Sequence, residues 1–126
     1  MQITINDKLY DLAWGLGAIE IYCDAMDCDI DGLSYIGDNT DLKRKQKAIT
    51  YLILAAIQNG LELKNEVLDV SYRTLQLWIS EADQKLFNEV MDDFMKSRYF
   101  GKTVSEHIFG IAPTEEPLKK KSRSAK

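Results

Sequence analysis

The chain has 126 residues, of which 45% are hydrophobic and 29% are charged, and its formal net charge is −4. This length suffices for one domain with a single hydrophobic core, and the composition is typical of a soluble globular protein. Residues 118–126 carry five basic side chains and no acidic one, which leaves a charge of −9 on residues 1–117. A body of that charge repels the phosphates of nucleic acids, so we expect no nucleic acid partner.

A short hairpin is predicted at the N-terminus. Ile3 and Ile5 lie on one face of residues 2–5, residues 6–8 have the composition of a turn, and apolar and polar side chains alternate again from Leu9. Because two strands alone are only marginally stable, we expect this hairpin to pack on helices or on another molecule.

A helix is predicted from Gly15 to Met26, where apolar side chains recur at spacings of three and four residues. Cys23 falls in this pattern and is interpreted as a buried free thiol, with Cys28 as the second of only two cysteines. The N-terminal residues lack the pattern of a signal peptide, so we expect a cytoplasmic protein.

The acidic connection from Asp27 to Asp41 has two interpretations. One is a calcium loop between helices, because D-C-D-I-D-G places carboxylates at loop positions 1, 3 and 5 and a glycine at position 6. The candidate ligands would be Asp27, Asp29, Asp31 and Asp38. The other interpretation, which we favour, is a solvated connection in which aspartates and glycines cap and turn the chain.

The central helix is predicted from Lys43 to Asn59. Nine of its ten residues from Ala48 to Ile57 are apolar, so nearly all sides of the helix need partners and other elements should pack around it. The apolar run is too short to span a membrane, which takes about 20 residues, and we expect no membrane partner. Gly60 is predicted to end the helix.

Two further helices are predicted in the second half of the chain. The first covers residues 71–80 and is capped by Asp69 or Ser71; the second covers residues 84–100 and ends at Gly101. Residues 103–111 are expected to add one helical turn. From Pro113 onward the composition is that of a disordered basic tail.

The predicted fold is therefore mainly α, a small helical domain with a short N-terminal β-hairpin and a disordered basic C-terminal tail. We place the domain at residues 1–112 and the tail at residues 113–126.

An apolar stripe on the second of these helices has two interpretations. As part of the core, it covers the central helix, which is the usual orientation of such a stripe in a small domain. As a partner-binding face, it would use the adaptable side chains of methionine beside phenylalanine rings. The candidate binding residues are Phe87, Met91, Phe94 and Met95.

Nothing in the sequence points to an enzyme or to a cofactor. His107 is the single histidine, and one imidazole with two separate cysteines makes no metal set of the usual spacing. We interpret it as an ordinary surface or half-buried side chain. Gly15 and Gly17 lack the third glycine of a nucleotide-binding loop.

The first 22 residues resemble the opening of the tail assembly chaperones of long-tailed bacteriophages and related prophages. The matching residues are Ile3, Ile5, Asn6, Lys8, Tyr10, Trp14, Gly15, Leu16 and Ile19. The later layout is also similar, with a central apolar helix that contains Ala55 and Ala56, a short helix and an acidic amphipathic helix.

This resemblance implies a non-enzymatic protein in the cytoplasm of the host cell, whose partner is the helical, aggregation-prone tape-measure protein. Many such chaperones are made in two lengths by a ribosomal frameshift, and Lys119–Lys121 fits a slippery codon run. The alternatives are a calcium-binding helix-loop-helix module and a generic intracellular adaptor for another helical protein. The sequence leaves the oligomeric state open, including a homo-oligomer.

Overall fold

Five α-helices, one 3₁₀ helix and two short antiparallel hairpins form residues 1–110, the part of the chain that the computed structural model describes. The elements are β1 Gln2–Ile5, β2 Lys8–Asp11, α1 Leu16–Met26, the 3₁₀ helix Ile30–Gly37, α2 Leu42–Leu63, α3 Tyr72–Glu81, α4 Gln84–Lys96, β3 Arg98–Tyr99, β4 Lys102–Thr103 and α5 Val104–Phe109. The prediction of a mainly α fold with a short N-terminal hairpin is confirmed. The predicted tail and its boundary at residue 112 lie outside the described residues.

The N-terminal hairpin is closed by Asn6 and Asp7, whose φ angles of 51° and 67° are both left-handed. A two-residue turn of this kind matches the twist of the flanking strands. Ile3 pairs with Tyr10 in the ladder, and both side chains are buried. Just after β2, the backbone N–H of Ala13 donates to the carbonyl of Ala56 in α2 at 3.1 Å. The hairpin therefore packs on the helices, as expected.

Helix α2 is the centre of the core, as the sequence predicts. Its fully buried large side chains are Leu52, Ile53 and Ile57, and α1, α3, β2 and the 3₁₀ helix all pack against it. The prediction that Gly60 ends this helix is wrong. The helix continues to Leu63, and Asn65, with a φ angle of 60°, takes the left-handed position that follows it.

Helix α1 lies against α2 through Gly17. A Cβ atom on Gly17 would collide with the side-chain amide of Asn59, whose Nδ2 donates to the carbonyl of Ala13 at 3.0 Å. On the same helix the side chain of Tyr22 is fully buried, and its hydroxyl donates to the carbonyl of Gly32 at 2.7 Å.

The second half of the chain begins with two capped helices. Ser71 accepts from the N–H of Thr74 at 3.1 Å at the start of α3, and Asp83 accepts from the N–H of Leu86 at 2.8 Å at the start of α4. Ser71, rather than Asp69, is thus the cap of α3.

The predicted helix over residues 84–100 is too long, because α4 ends at Lys96. The chain then forms the small hairpin of β3 and β4, in which Gly101 has a φ angle of 82°. Helix α5 follows with a capping box between Thr103 and Glu106, which confirms the predicted last helical turn. None of the helices within residues 1–110 has the length and apolarity to cross a membrane.

Candidate functional site

The four stripe residues of α4 divide between the core and the surface. Phe94 is only 1% exposed, and its ring centroid lies 5.1 Å from that of Trp14. The indole Nε1 of Trp14 also donates to Oδ2 of Asp93 at 2.7 Å, which fixes this end of α4 on the N-terminal segment. Phe94 therefore offers no surface to a partner in this conformation. Phe87, Met91 and Met95 are half-buried against the core.

Phe87 lies at the edge of a surface groove that runs between α2, α3 and α4. This groove has a volume of about 640 Å³, which is within the range of binding sites. Its apolar lining residues are Ile49, Leu77, Ile79 and Phe87. Leu77 is 59% exposed, so a large apolar side chain is already presented to solvent here. We name it the three-helix groove.

The polar lining of the three-helix groove is held in place by hydrogen bonds. The amide Nε2 of Gln76 donates to Oε1 of Gln46 at 3.1 Å, and Nη1 of Arg73 donates to Oε1 of Gln76 at 3.2 Å. The hydroxyls of Thr50 and Ser80 each donate to a backbone carbonyl one turn earlier in their own helix. Of the nine lining residues, only Arg73 is charged, so the groove favours an apolar or neutral polar surface.

The groove is extended past Phe87 by a smaller depression of about 300 Å³ at the start of α4. It shares Ile79, Ser80 and Phe87 with the three-helix groove and adds Ala82 and Gln84. The two depressions therefore adjoin at Ile79, Ser80 and Phe87, and both are lined in part by apolar side chains. This shape suits one face of an amphipathic helix, which docks through apolar side chains that recur every three or four residues.

The four aspartates of the proposed calcium loop do not come together. Asp27 ends α1 in a left-handed conformation, and Asp29 caps the 3₁₀ helix by accepting from the N–H of Ile30 at 2.8 Å. Oδ1 of Asp38 accepts from the hydroxyl of Thr40 at 2.5 Å. Within the described part of the chain, no three His, Cys, Asp or Glu side chains form a group that could hold a metal ion.

The carboxylate of Asp38 accepts hydrogen bonds from Thr40 and Arg44. Hydrogen bonds from the hydroxyl and the backbone N–H of Thr40, and then the guanidinium of Arg44, lower the pKa of Asp38. Nη2 of Arg44 lies 3.3 Å from Oδ2 of Asp38, and the guanidinium stands 4.0 Å above the ring of Tyr35. This arrangement anchors the basic first turn of α2 and leaves Asp38 little freedom to bind anything else.

His107 packs on an aromatic ring, whereas Cys23, which was predicted to be a buried free thiol, is free but only half-buried, as is Cys28. The imidazole of His107 stacks on the ring of Tyr99 at 3.9 Å, and its Nε2 lies 2.7 Å from the carbonyl oxygen of Tyr99. Burial, followed by the nearby Cys28, raises the pKa of the Cys23 thiol to about 11, and burial also raises the pKa of Cys28. Thiols with raised pKa values are poor nucleophiles at neutral pH.

The sequence predicted Phe87 as a binding residue and missed the part of the groove that α3 supplies. One feature of the sequence could have indicated this part of the groove. Leu77 does not share the face of α3 on which Leu75 is buried, so a large apolar side chain was left without a partner in the core. The polar residues of the groove carried no such signal.

Comparison with known proteins gives no relative: no protein-family model, no curated protein and no solved structure matches this chain.

Proposed function

We propose that this protein is a bacteriophage tail assembly chaperone, and that its three-helix groove binds a helical segment of the tape-measure protein. The observation that carries this proposal is the apolar part of the groove lining, in which Leu77 is 59% exposed and Phe87 half-buried, beside polar side chains of which only Arg73 is charged. A long helical partner with an apolar stripe has the complementary surface. The choice of partner rests on the resemblance of the N-terminal residues to this family.

The charge of the body supports a chaperone role. Residues 1–117 carry −9, while the groove itself contributes a single charged side chain, Arg73. A partner's apolar stripe would thus be covered at the groove while the remaining acidic surface keeps the complex apart from other copies by repulsion. A protein with this role acts by binding alone and needs neither a catalytic residue nor a cofactor.

Co-expression with the tape-measure protein of the same phage or prophage tests the proposal. We expect the wild-type chain to co-purify with it and to keep it in the soluble fraction. The Leu77→Asp variant places a charge in the lining of the groove and should reduce the co-purified amount about tenfold or more, since a charge that the partner covers and leaves unpaired is costly. Because Leu77 is already 59% exposed, this variant should remain folded, which its melting temperature verifies.

Leu63→Asp is the matched control, because Leu63 is 74% exposed at the far end of α2 and does not line the groove. It should bind like wild type. Full binding by a folded Leu77→Asp variant would show that the tape-measure protein binds elsewhere than in the groove. If the wild-type chain did not bind, the proposed chaperone function itself would be wrong.

A further inference from the structure

The two cysteines of the chain lie next to each other at the end of α1. The backbone N–H of Cys28 donates to the carbonyl of Cys23 at 3.0 Å. The N–H of Asp27, whose φ angle of 53° is left-handed, donates to the carbonyl of Asp24 at 3.4 Å. This combination is the Schellman motif, which ends a helix and commonly brings the side chains of its first and last residues into contact. Those two residues are Cys23 and Cys28.

The backbone hydrogen bond also brings the two cysteines within the span of a disulfide bond. With the N and O atoms 3.0 Å apart, standard bond lengths hold the two Cα atoms less than about 7 Å from each other. Disulfide bonds join cysteines whose Cα atoms are about 4.4–6.8 Å apart. Both thiols are free, and both side chains are half-buried against the core. The helix end therefore holds the two thiols where one disulfide bond can join them.

The thiol of Cys28 is confined on its other side by the 3₁₀ helix. A Cβ atom on Gly32 would collide with Sγ of Cys28, so the sulfur lies directly against the backbone of this helix. The carbonyl of Gly32 accepts the hydrogen bond from the buried hydroxyl of Tyr22 in α1. This contact between α1 and the 3₁₀ helix keeps the cysteine pair in a fixed setting.

The two thiols differ in how readily they lose a proton. Burial raises the pKa of Cys28, and the hydrogen bond from the Cys23 thiol offsets part of this rise. Burial, followed by the charge of Cys28 and the same hydrogen bond, raises the pKa of Cys23 to about 11. Because the thiolate is the nucleophile, Cys28 is the better attacking group of the pair. Its own raised pKa makes it react slowly at neutral pH and faster as the pH rises.

We propose that Cys23 and Cys28 form a reversible dithiol–disulfide site whose oxidant is a low-molecular-weight disulfide such as oxidised glutathione. The thiolate of Cys28 attacks one sulfur of the oxidant, which releases one glutathione thiolate and leaves a mixed disulfide on Cys28. Cys23 then loses its proton and attacks Sγ of Cys28, which releases the second glutathione thiolate. The protein loses two electrons and two protons, and the two glutathione molecules take up both. Neither cysteine lines the three-helix groove, so this site is independent of the proposed function.

Intact-mass spectrometry of the full chain tests this proposal. The reduced protein is incubated with oxidised glutathione at about pH 8, and the remaining thiols are then blocked with N-ethylmaleimide. We expect a mass lower by about 2 Da, for the two hydrogen atoms removed, with no attached glutathione and no blocked thiol. No lysine or arginine lies between Lys8 and Lys43, so trypsin leaves both cysteines in the single peptide of residues 9–43. Excess dithiothreitol should restore both thiols.

Cys23→Ser and Cys28→Ser separate the roles of the two thiols. Cys23→Ser keeps the attacking thiol and should accumulate the mixed disulfide with glutathione. Cys28→Ser keeps the thiol of higher pKa and should form its mixed disulfide about threefold or more slowly. Serine is of similar size and both positions are half-buried, so both variants should stay folded, which their melting temperatures verify. Equal rates would overturn the assignment of Cys28 as the attacking group.

The fold, and not the short spacing alone, should favour the disulfide. Oxidation is therefore titrated with mixtures of oxidised and reduced glutathione, for the folded protein and for the chain in about 8 M urea. We expect the folded protein to be half oxidised at a proportion of oxidised glutathione about tenfold or more lower, because the helix end raises the effective concentration of one thiol at the other. An equal or higher requirement in the folded protein would overturn the proposal. Wild-type protein that carries a glutathione on each cysteine, or that links two copies instead, would also overturn it.

Discussion

Gly60 of α2 packs directly against the backbone of Asp11 in β2: a Cβ atom at this position would stand 2.8 Å from the Asp11 carbonyl oxygen. The N-terminal hairpin thus reaches the central helix through a gap that only a glycine leaves open. This contact fixes the hairpin on the helices together with the ion pair between Lys64 and Asp11.

Replacing Gly60 by alanine should therefore destabilise the protein, although alanine favours a helix by about 1 kcal/mol over glycine. We expect the free energy of unfolding to fall by about 1–3 kcal/mol, as for other overpacked sites, because backbone cannot move aside as a side chain can. Urea unfolding measures this change. Glu62→Ala, on the exposed side of the same helix, should stay within about 0.5 kcal/mol of wild type. A Gly60→Ala variant more stable than wild type would contradict the contact.

Gly60 also shows which parts of the fold the sequence could predict. The start of α1 and the cap at Ser71, one of the two predicted positions, follow from local rules on periodicity and on side chains that accept from the first free N–H groups. The role of Gly60 depends on a strand 49 residues earlier in the chain, which no local pattern reports. The prediction that Gly60 ends the helix was therefore wrong, because this glycine is required by its contact with the backbone of Asp11 and not by a turn.

The end of α4 was missed for a related reason. The apolar and polar residues after Lys96 continue the helical pattern, but Ser97 is extended and its hydroxyl turns back to the carbonyl of Phe94 at 2.6 Å. The N–H of Val104 then donates to the carbonyl of Ser97 at 2.8 Å, so the short hairpin is stabilised by the start of α5. A groove of about 500 Å³ between this hairpin, α5 and the 3₁₀ helix could not be predicted from the sequence, because its lining residues lie about 70 residues apart in the chain, in residues 30–34 and 99–108.

Calcium should have little effect on stability. Asp38 is held by Thr40 and Arg44, and Asp29 is used as a helix cap, so binding a cation would first require these hydrogen bonds to break. We expect the melting temperature to change by less than about 1 °C on adding about 1 mM calcium, since a ligand stabilises only when its concentration exceeds its dissociation constant. Differential scanning fluorimetry with magnesium as the control ion measures this. A calcium-specific rise of several degrees would restore the helix-loop-helix alternative.

Asp69 should make the protein more stable at neutral than at acidic pH. Its hydrogen bond from Lys8 at 2.6 Å, and then that from the hydroxyl of Tyr10 at 3.0 Å, lower the pKa of the carboxyl group. A lowered pKa in the folded state means that the unfolded chain takes up the proton first, so this contribution is present above about pH 4 and is lost as the pH falls through the folded value.

We therefore expect Asp69→Asn to lower the urea midpoint at pH 7 and to converge with wild type toward pH 3. Because Lys8 acts on the same carboxylate, Lys8→Met should show a similar loss, and the double variant should lose less than the sum of the two single changes. A constant difference between Asp69→Asn and wild type from pH 7 to pH 3 would contradict the role of the ionised carboxylate.

Alanine substitutions of Phe94 and Phe87 should differ in their effect on stability, because Phe94 belongs to the core and Phe87 to the groove surface. Phe94 is buried against Trp14, so Phe94→Ala leaves a cavity and should cost about 3–5 kcal/mol in the free energy of unfolding. Phe87 is half-buried at the edge of the three-helix groove, and Phe87→Ala should cost only about 1–2 kcal/mol, because less of its apolar surface leaves solvent on folding. Urea unfolding, with the fluorescence of Trp14 as one probe, measures both variants. Equal losses would mean that the whole stripe belongs to the core, and the groove would then lack the aromatic edge that the proposed partner needs.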